Sequence, residues 1–337
     1  MTGVDPLRRL AVLGTVLLLG LARADGPPSK AADWLATVRP SPELQAFLDR
    51  TIDGLEAHDA RLREAAVRVA VLDLAHGEPP RIADRHGDAP IYPASVVKFV
   101  YLMAAYRWQE EGRLRIEGDL DRKLTEMIRV SSNEATQKVF ARLTDTEPGP
   151  ELAAEAYRDY RERRQAVKRW LATLGVTDLH CVNPTYDGRG DLYGRDAQFL
   201  RDASVAGGLG RGHGEAPNRQ AMTANGTVRL LALLATGRAL SPEDSATVRR
   251  RMRRNPIEQP HLVHRIAGGA SRLPGLEVYA KSGTWGPIYA DAGIVRQLDS
   301  GRQVVIAVFT EATPAYHGDF IADLTERVVR HVLNEGS

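Results

Sequence analysis

Apolar positions change their period several times along the chain, and each change marks an element. Ser41-Pro42-Glu43 has the form of a helix start, with serine as N-cap and proline in the first turn. Leu44, Phe47, Leu48, Ile52 and Leu55 then fall on one helical stripe. Residues 67–74 switch to alternation with β-branched content and predict a strand. His76-Gly77-Glu78-Pro79-Pro80 predicts a turn, and residues 81–84 a second short strand. Residues 92–108 are apolar on nearly every side, the pattern of a buried helix. Residues 121–143 are helical on both sides of Val130-Ser131-Ser132-Asn133, and Glu147-Pro148-Gly149-Pro150 breaks the run. Residues 151–174 predict a charged amphipathic helix whose charges form a solvated face, closed by Gly175. Residues 175–220 are loop-rich, and helices follow at 222–238 and 242–254. Strands are predicted at 276–282, 289–297 and 303–310, the last two joined by the hairpin turn Leu298-Asp299-Ser300-Gly301-Arg302. A final amphipathic helix carries Ile321, Leu324, Val328 and Val332. This order predicts an α+β fold. One antiparallel sheet is built from both chain ends (about 41–90 and 270–337), with helices against it and an all-helical part (about 91–269) inserted between.

The first residues predict processing rather than structure. Arg8 and Arg9 precede an apolar run at 10–21, and Ala22-Arg23-Ala24 offers a small-x-small cleavage site. Residues 1–24 are therefore expected to be a signal peptide and residues 25–40 a polar linker. The run is short for a membrane span of about 20 residues. The expectation is export to the periplasm or outside the cell, with no stable span after cleavage; an uncleaved anchor is the alternative.

Composition narrows the classes further. The chain has 337 residues, 43% apolar and 26% charged, with 45 Lys+Arg against 43 Asp+Glu. That balance gives no global reason to expect a nucleic-acid partner. Cys181 is the only cysteine, so no internal disulfide forms, and a buried structural thiol is expected. The glycine cluster at 207–214 lacks the preceding strand and the Gly-Lys-Ser/Thr ending of a phosphate loop. Five arginines at 249–254, broken by Met252, are read as an exposed face. His261 and His264 have no acidic or histidine partners completing a metal set. No metal or cofactor is expected.

Ser95 and Lys98 lie one turn apart at the start of the apolar helix. Desolvation disfavours the ammonium form, so a buried lysine can take a serine's proton, and a hydroxyl beside such a base is a nucleophile. Two later stretches give this pair a context. Ser95-Val96-Val97-Lys98, Ser131-Ser132-Asn133 and Lys281-Ser282-Gly283-Thr284 stand in order, as S-x-x-K, S-D-N and K-T-G do in class A β-lactamases and penicillin-binding proteins. From about residue 41 to 333 the chain resembles that superfamily of penicillin-recognising serine hydrolases, and so a β-lactamase/transpeptidase-like fold. The resemblance implies that Ser95 attacks a carbonyl, that Lys98 is its base or relay, and that Ser131 carries a proton to the departing nitrogen. It implies that Asn133 binds the substrate's side-chain amide, and that Lys281, Ser282 and Thr284 bind its carboxylate. The oxyanion would sit between the backbone N–H groups of Ser95 and Thr284.

The pattern departs from class A enzymes in three places. The middle motif is Ser-Ser-Asn. Ser95 and Ser131 are 36 residues apart, shorter than in class A enzymes, which predicts a more open site. The Glu-x-x-Leu-Asn motif, whose glutamate activates the deacylating water in that class, has no counterpart in residues 180–191. Asp187 is the nearest carboxylate and the candidate replacement, against the plainer reading of an Asp-Gly turn. Three functions follow. One is a class A-like β-lactamase with an altered water-activating group. The second is a D-alanyl-D-alanine peptidase or penicillin-binding protein acting on cell-wall peptides. The third is a non-catalytic penicillin-recognising sensor, which has no need of all five polar residues. The β-lactamase-like reading, with acyl transfer on Ser95, is preferred over the other two, in a monomer acting on a β-lactam or wall peptide.

Overall fold

A computed structural model describes residues 30–334, except 189, 206 and 208–215. The signal-peptide expectation and most of the glycine cluster lie outside the described residues. Seven strands form one sheet: β1 (Arg39–Pro40), β2 (Ala66–Asp73), β3 (Arg81–Arg85), β4 (Arg253–Arg254), β5 (Leu276–Trp285), β6 (Ile288–Gln297) and β7 (Gln303–Glu311), in the order β1-β3-β2-β7-β6-β5-β4. The centre is antiparallel, with β2 from the early chain paired to β7 from its end. The one parallel pair is β1 with β3.

Alternation puts successive side chains on opposite faces of the sheet. Val69 and Val71 enter one core with Leu48 and Ile52 of the helix Pro42–His58 and Leu324 and Val328 of the helix Phe320–Val329. Ala70 and Leu72 enter a second core with Leu230 and Leu234 of the helix Ala224–Ala235 and the whole apolar surface of the helix Lys98–Glu110. The expected N-cap is present: Ser41 Oγ accepts from Leu44 N at 3.3 Å. From Lys98 to Tyr106 this helix is buried on all sides, as its apolar run requires. Among the described residues no helix is long and apolar enough to cross a membrane.

Two expectations are corrected. Residues 30–40 are not linker: Lys30–Leu35 is a helix that buries Ala31, Trp34 and Leu35, and β1 extends the sheet edge. Trp34 drives this, with its ring in the core and Nε1 donating to Glu78 Oε1 at 2.9 Å. The expected helix 151–174 is two helices, Ala154–Arg164 and Ala166–Thr173, and its charges are not all solvated. Arg164 is 2% exposed and packs among Tyr160, Phe140 and Phe199.

Candidate active site

Three elements converge on Ser95. The first is its own 3-10 turn, Ala94–Val97, which runs directly into the helix Lys98–Glu110. Ala94 enters the turn at φ 47°, a left-handed value that costs a residue with a Cβ roughly 1–3 kcal/mol. The second is the connection between the helices Gly118–Arg129 and Asn133–Thr144, where Ser131 also holds a left-handed φ of 59°. Ser132 then caps the second helix, its Oγ accepting from Ala135 N at 3.1 Å. Serine and aspartate serve equally well as N-caps, which explains why the middle residue of the motif can differ. The third element is β5.

Gly283 lets β5 reach the Ser95 turn. A Cβ at this position would lie 2.8 Å from Pro93 O and 3.0 Å from the backbone nitrogens of Ser95 and Val96. The strand edge carrying Ser282 and Thr284 is paired to β4 only at Val278 and Tyr279. Ala280 O there accepts from Arg254 and Ser282 O from Lys281. Even-numbered residues of β5 therefore turn their backbones to this open edge, and the Thr284 N–H with them. The two expected oxyanion donors thus belong to backbones in close approach.

The lysines meet at Ser131. Lys98 is fully buried, and its Nζ donates to Ser131 O at 2.5 Å, Asn133 Oδ1 at 2.8 Å and Ser131 Oγ at 3.2 Å. Lys281 is 1% exposed and donates to Ser131 Oγ at 3.0 Å and Ser282 O at 2.7 Å. Ser131 Oγ thus accepts from both ammonium groups, and its own proton is left to donate into the cleft. Burial lowers Lys98 to about 7. Burial first, then the charges of Arg254 and Lys98, push Lys281 well below the usual lysine range, with Asp291 opposing. At neutral pH the site can therefore hold one lysine as an amine, which is what proton transfer through Ser131 needs.

Asn133 spans two walls, accepting from Lys98 and donating from Nδ2 to Tyr186 O at 3.1 Å. Tyr186 belongs to a loop held from behind by Arg164. That guanidinium donates to Asp196 Oδ1 at 2.6 Å, Asn183 Oδ1 at 2.8 Å, Tyr160 OH at 2.9 Å, and Val182 O and Tyr186 OH at 3.2 Å. Cys181 is buried, and burial raises its thiol well above the usual range, so it is no rival nucleophile.

Ser95, Lys98, Ser131, Asn133, Lys281, Ser282 and Thr284 are brought together; Asp187 is not. Two cavities open on Ser95. One, about 100 Å³, is lined by Tyr92, Asn133, Thr185, Tyr186, Arg219 and Trp285 among others; the second, about 630 Å³, extends past Ser131, Lys281 and Thr284. Asp187 is exposed and lines neither, because the loop turns Thr185, Tyr186 and Gly188 inward instead. Among the described residues, no carboxylate lines either cavity.

Sequence reasoning missed two arginines. Arg265, 5% exposed, donates to Thr284 Oγ1 at 2.7 Å and Ala290 O at 2.5 Å, with its guanidinium 3.4 Å from the Tyr289 ring centroid. Arg254, expected on an exposed face, is 7% exposed and bonds Ala280 O at 3.0 Å and Ile128 O at 2.6 Å. The run around it is used up in the same way: Arg251 bonds Tyr106, Thr125 and Asp121, and Arg249 bonds Ala235 O. Nothing local in the sequence marks either residue as internal.

Comparison with known proteins follows this geometry. Solved structures share the fold at low identity. A β-lactamase from Sphaerobacter thermophilus DSM 20745 is 19% identical with a TM-score of 0.59, covering 85% of this chain and 96% of that one. PBP-A is 17% identical with a TM-score of 0.57, covering 90% and 98%. A β-lactamase from Xanthomonas campestris pv. campestris is 14% identical with a TM-score of 0.60, covering 86% and 99%. A search of curated protein sequences finds no match. The model of the β-lactamase enzyme family matches residues 119–332, from the helix before Ser131 to the last helix, and the chain belongs to that family.

Proposed function

We propose that the protein is a serine hydrolase that forms an acyl-enzyme on Ser95 with β-lactams or related amides. The observation that carries this reading is the Lys98–Ser131–Lys281 relay beside the Ser95 turn. Ser95 Oγ bonds to the carbonyl carbon and the carbon–nitrogen bond breaks. The serine proton passes through the Lys98 amine and Ser131 to the departing nitrogen, so charge and protons balance. The N–H groups of Ser95 and Thr284 receive the oxyanion; one such donor is worth about 2.7–4 kcal/mol in a comparable site. Water then releases the acyl group.

A penicillin-binding reading is favoured for that second step by the cleft walls, where the described residues offer no carboxylate to activate water. A mutant of PBP-A is described in an acyl-enzyme complex with penicillin G, and the same adduct is proposed here. Export, read from residues 8–24, belongs to the same proposal and would place the enzyme beside wall peptides.

The test is intact-protein mass spectrometry of the chain with excess benzylpenicillin, followed over time. A persistent adduct lost in Ser95→Ala supports a penicillin-binding peptidase. A transient adduct with bulk hydrolysis supports a β-lactamase. No adduct at all refutes acylation of Ser95 by β-lactams.

A further inference from the structure

The larger cavity on Ser95 holds more positive charge than one substrate carboxylate can answer. It contains about 630 Å³, ample for a ligand fragment of several heavy groups. Four cationic side chains line it: Arg129, Arg254, Arg265 and Lys281. His261 lines it as well, and no aspartate or glutamate does among the described residues. Among the described residues none of the four cations stands in an ion pair. Lys281 and Arg265 donate to hydroxyl and carbonyl oxygens, and Arg254 to two carbonyls. Arg254 Nη1 is buried with no hydrogen-bond partner among the described residues. Arg129 is exposed at the rim and has no polar partner among the described residues. The one described carboxylate buried behind this wall, Asp291, accepts from the backbone N–H groups of Ile266 and Ala292 at 3.1 Å, and its charge opposes the burial of Lys281, Arg254 and Arg265 without pairing to any of them. Arg272, by contrast, is exposed and paired to Asp323 and Glu326.

Burying cations is costly unless opposite charge is near, and among the described residues Asp291 alone stands behind three of them, Lys281, Arg254 and Arg265. One carboxylate at Lys281, Ser282 and Thr284 answers one of them. Arg265 is turned to Thr284, on the side of that carboxylate, which leaves Arg254, with the exposed Arg129 and His261, facing the remainder of the cavity. That remainder lies on the Ser131 side, where the departing nitrogen receives its proton, so the departing half of the substrate occupies it. We infer that the preferred substrate carries, on its departing half, a second acidic group besides the carboxylate next to the scissile nitrogen, and that Arg129, Arg254 and His261 receive it. This rests on the acyl-enzyme reading above. For a wall peptide the corresponding substrate ends in a dicarboxylic residue; for a β-lactam it carries an anionic substituent on the fused ring.

Three cephalosporins that share one thienylacetyl side chain test this. They differ only in the C3 substituent, which is anionic, neutral (acetoxymethyl) or cationic (pyridiniummethyl). Second-order acylation constants are measured by intact mass for the wild type and for Arg129→Gln, whose parent side chain is exposed. Taking the ratio of the two proteins cancels the intrinsic reactivity of each drug. The expected preference for the anionic over the cationic compound is about tenfold or more at low salt, within the range of electrostatic steering. It should shrink with added salt and narrow several-fold in Arg129→Gln. Equal constants across the series, or a ratio untouched by both salt and Arg129→Gln, overturns the second acidic subsite while leaving the acyl-enzyme intact. No adduct with any of the three overturns the acyl-enzyme reading, and this inference with it.

Discussion

Gly283→Ala places a methyl group where β5 meets the Ser95 turn. The atoms it would meet, Pro93 O at 2.8 Å and the nitrogens of Ser95 and Val96 at 3.0 Å, are all backbone. None can rotate away as a side-chain tip could. Ordinary contact begins at 3.4 Å, so the strand and the turn must part by roughly 0.4–0.6 Å, at a repulsive cost that packed backbones cannot evade. That displacement separates the two N–H groups expected to hold the oxyanion. Deleting one such donor costs about 2.7–4 kcal/mol, and a shift approaching 1 Å costs about a hundredfold. The acylation constant for benzylpenicillin, from the rate of adduct growth by mass spectrometry, should fall by about 10²–10³. Thermal unfolding measured alongside should remain cooperative, because the sheet registers on either side do not depend on this contact. The pH profile of the residual rate should keep its inflection, because Lys98 does not touch Gly283. An acylation constant within twofold of the wild type would refute the assignment of the oxyanion site to this strand–turn contact.

Lys98 is an ammonium below about pH 7 and an amine above it, because burial lowers its pKa. The acylation constant should therefore rise with pH through about 7 and then level, and Lys98→Gln should remove that inflection; a flat wild-type profile between about pH 5 and 9 would contradict the base role. Asp187→Asn should leave the lifetime of the penicillin adduct unchanged, since this side chain is exposed and lines neither cavity; a severalfold longer lifetime, followed by mass spectrometry after removal of free drug, would return it to the deacylation step. Arg164→Ala should lower stability by about 3–5 kcal/mol in urea unfolding, because it strands Asp196 as a buried charge without its partner. Arg164→Lys should recover only part of that, since an ammonium cannot reach the five acceptors the guanidinium now serves.

The elements legible in the sequence are those whose signal is local. Ser41 and Pro42 mark a helix start because capping acts over one turn. The pair β6 and β7 can be read from alternation and a five-residue turn. Residues 30–40 were read as linker because their signal is not local. Trp34 is held by Glu78, 44 residues away, and by the guanidinium of Arg238, 4.9 Å from its ring centroid. β1 exists only because β3 offers it an edge. The polar site shows the same division. Ser95, Ser131 and Lys281 carry sequence motifs because each motif is one turn or one strand end, but what joins them is tertiary: Lys281 reaches Ser131 across 150 residues.

The arginines are harder to read for a further reason. Charge in a predicted helix is ordinarily solvated, so the sequence predicts an exposed face for Arg164 and Arg254, and both are internal. They are internal in different ways. Arg164 is answered by a carboxylate, Asp196, at 2.6 Å, and therefore organises a wall. Arg254 is hydrogen-bonded only to the carbonyls of Ala280 and Ile128 among the described residues, and the carboxylate that opposes its burial, Asp291, is shared with Arg265 and Lys281; burial lowers its pKa to about 10. An internal cation with a carboxylate contributes to the scaffold whether or not substrate is bound. An internal cation hydrogen-bonded to neutral oxygens, sharing one carboxylate with two other cations beside Ser95, leaves positive charge in excess, which the arrival of an anion answers. Arg254 should therefore respond to ligand where Arg164 does not. A non-reactive dicarboxylate should protect the wild-type fold against heat more than a monocarboxylate does, and Arg129→Gln should reduce that difference. Equal protection by the two ligands in both proteins would mean that the charge of this wall is satisfied within the chain.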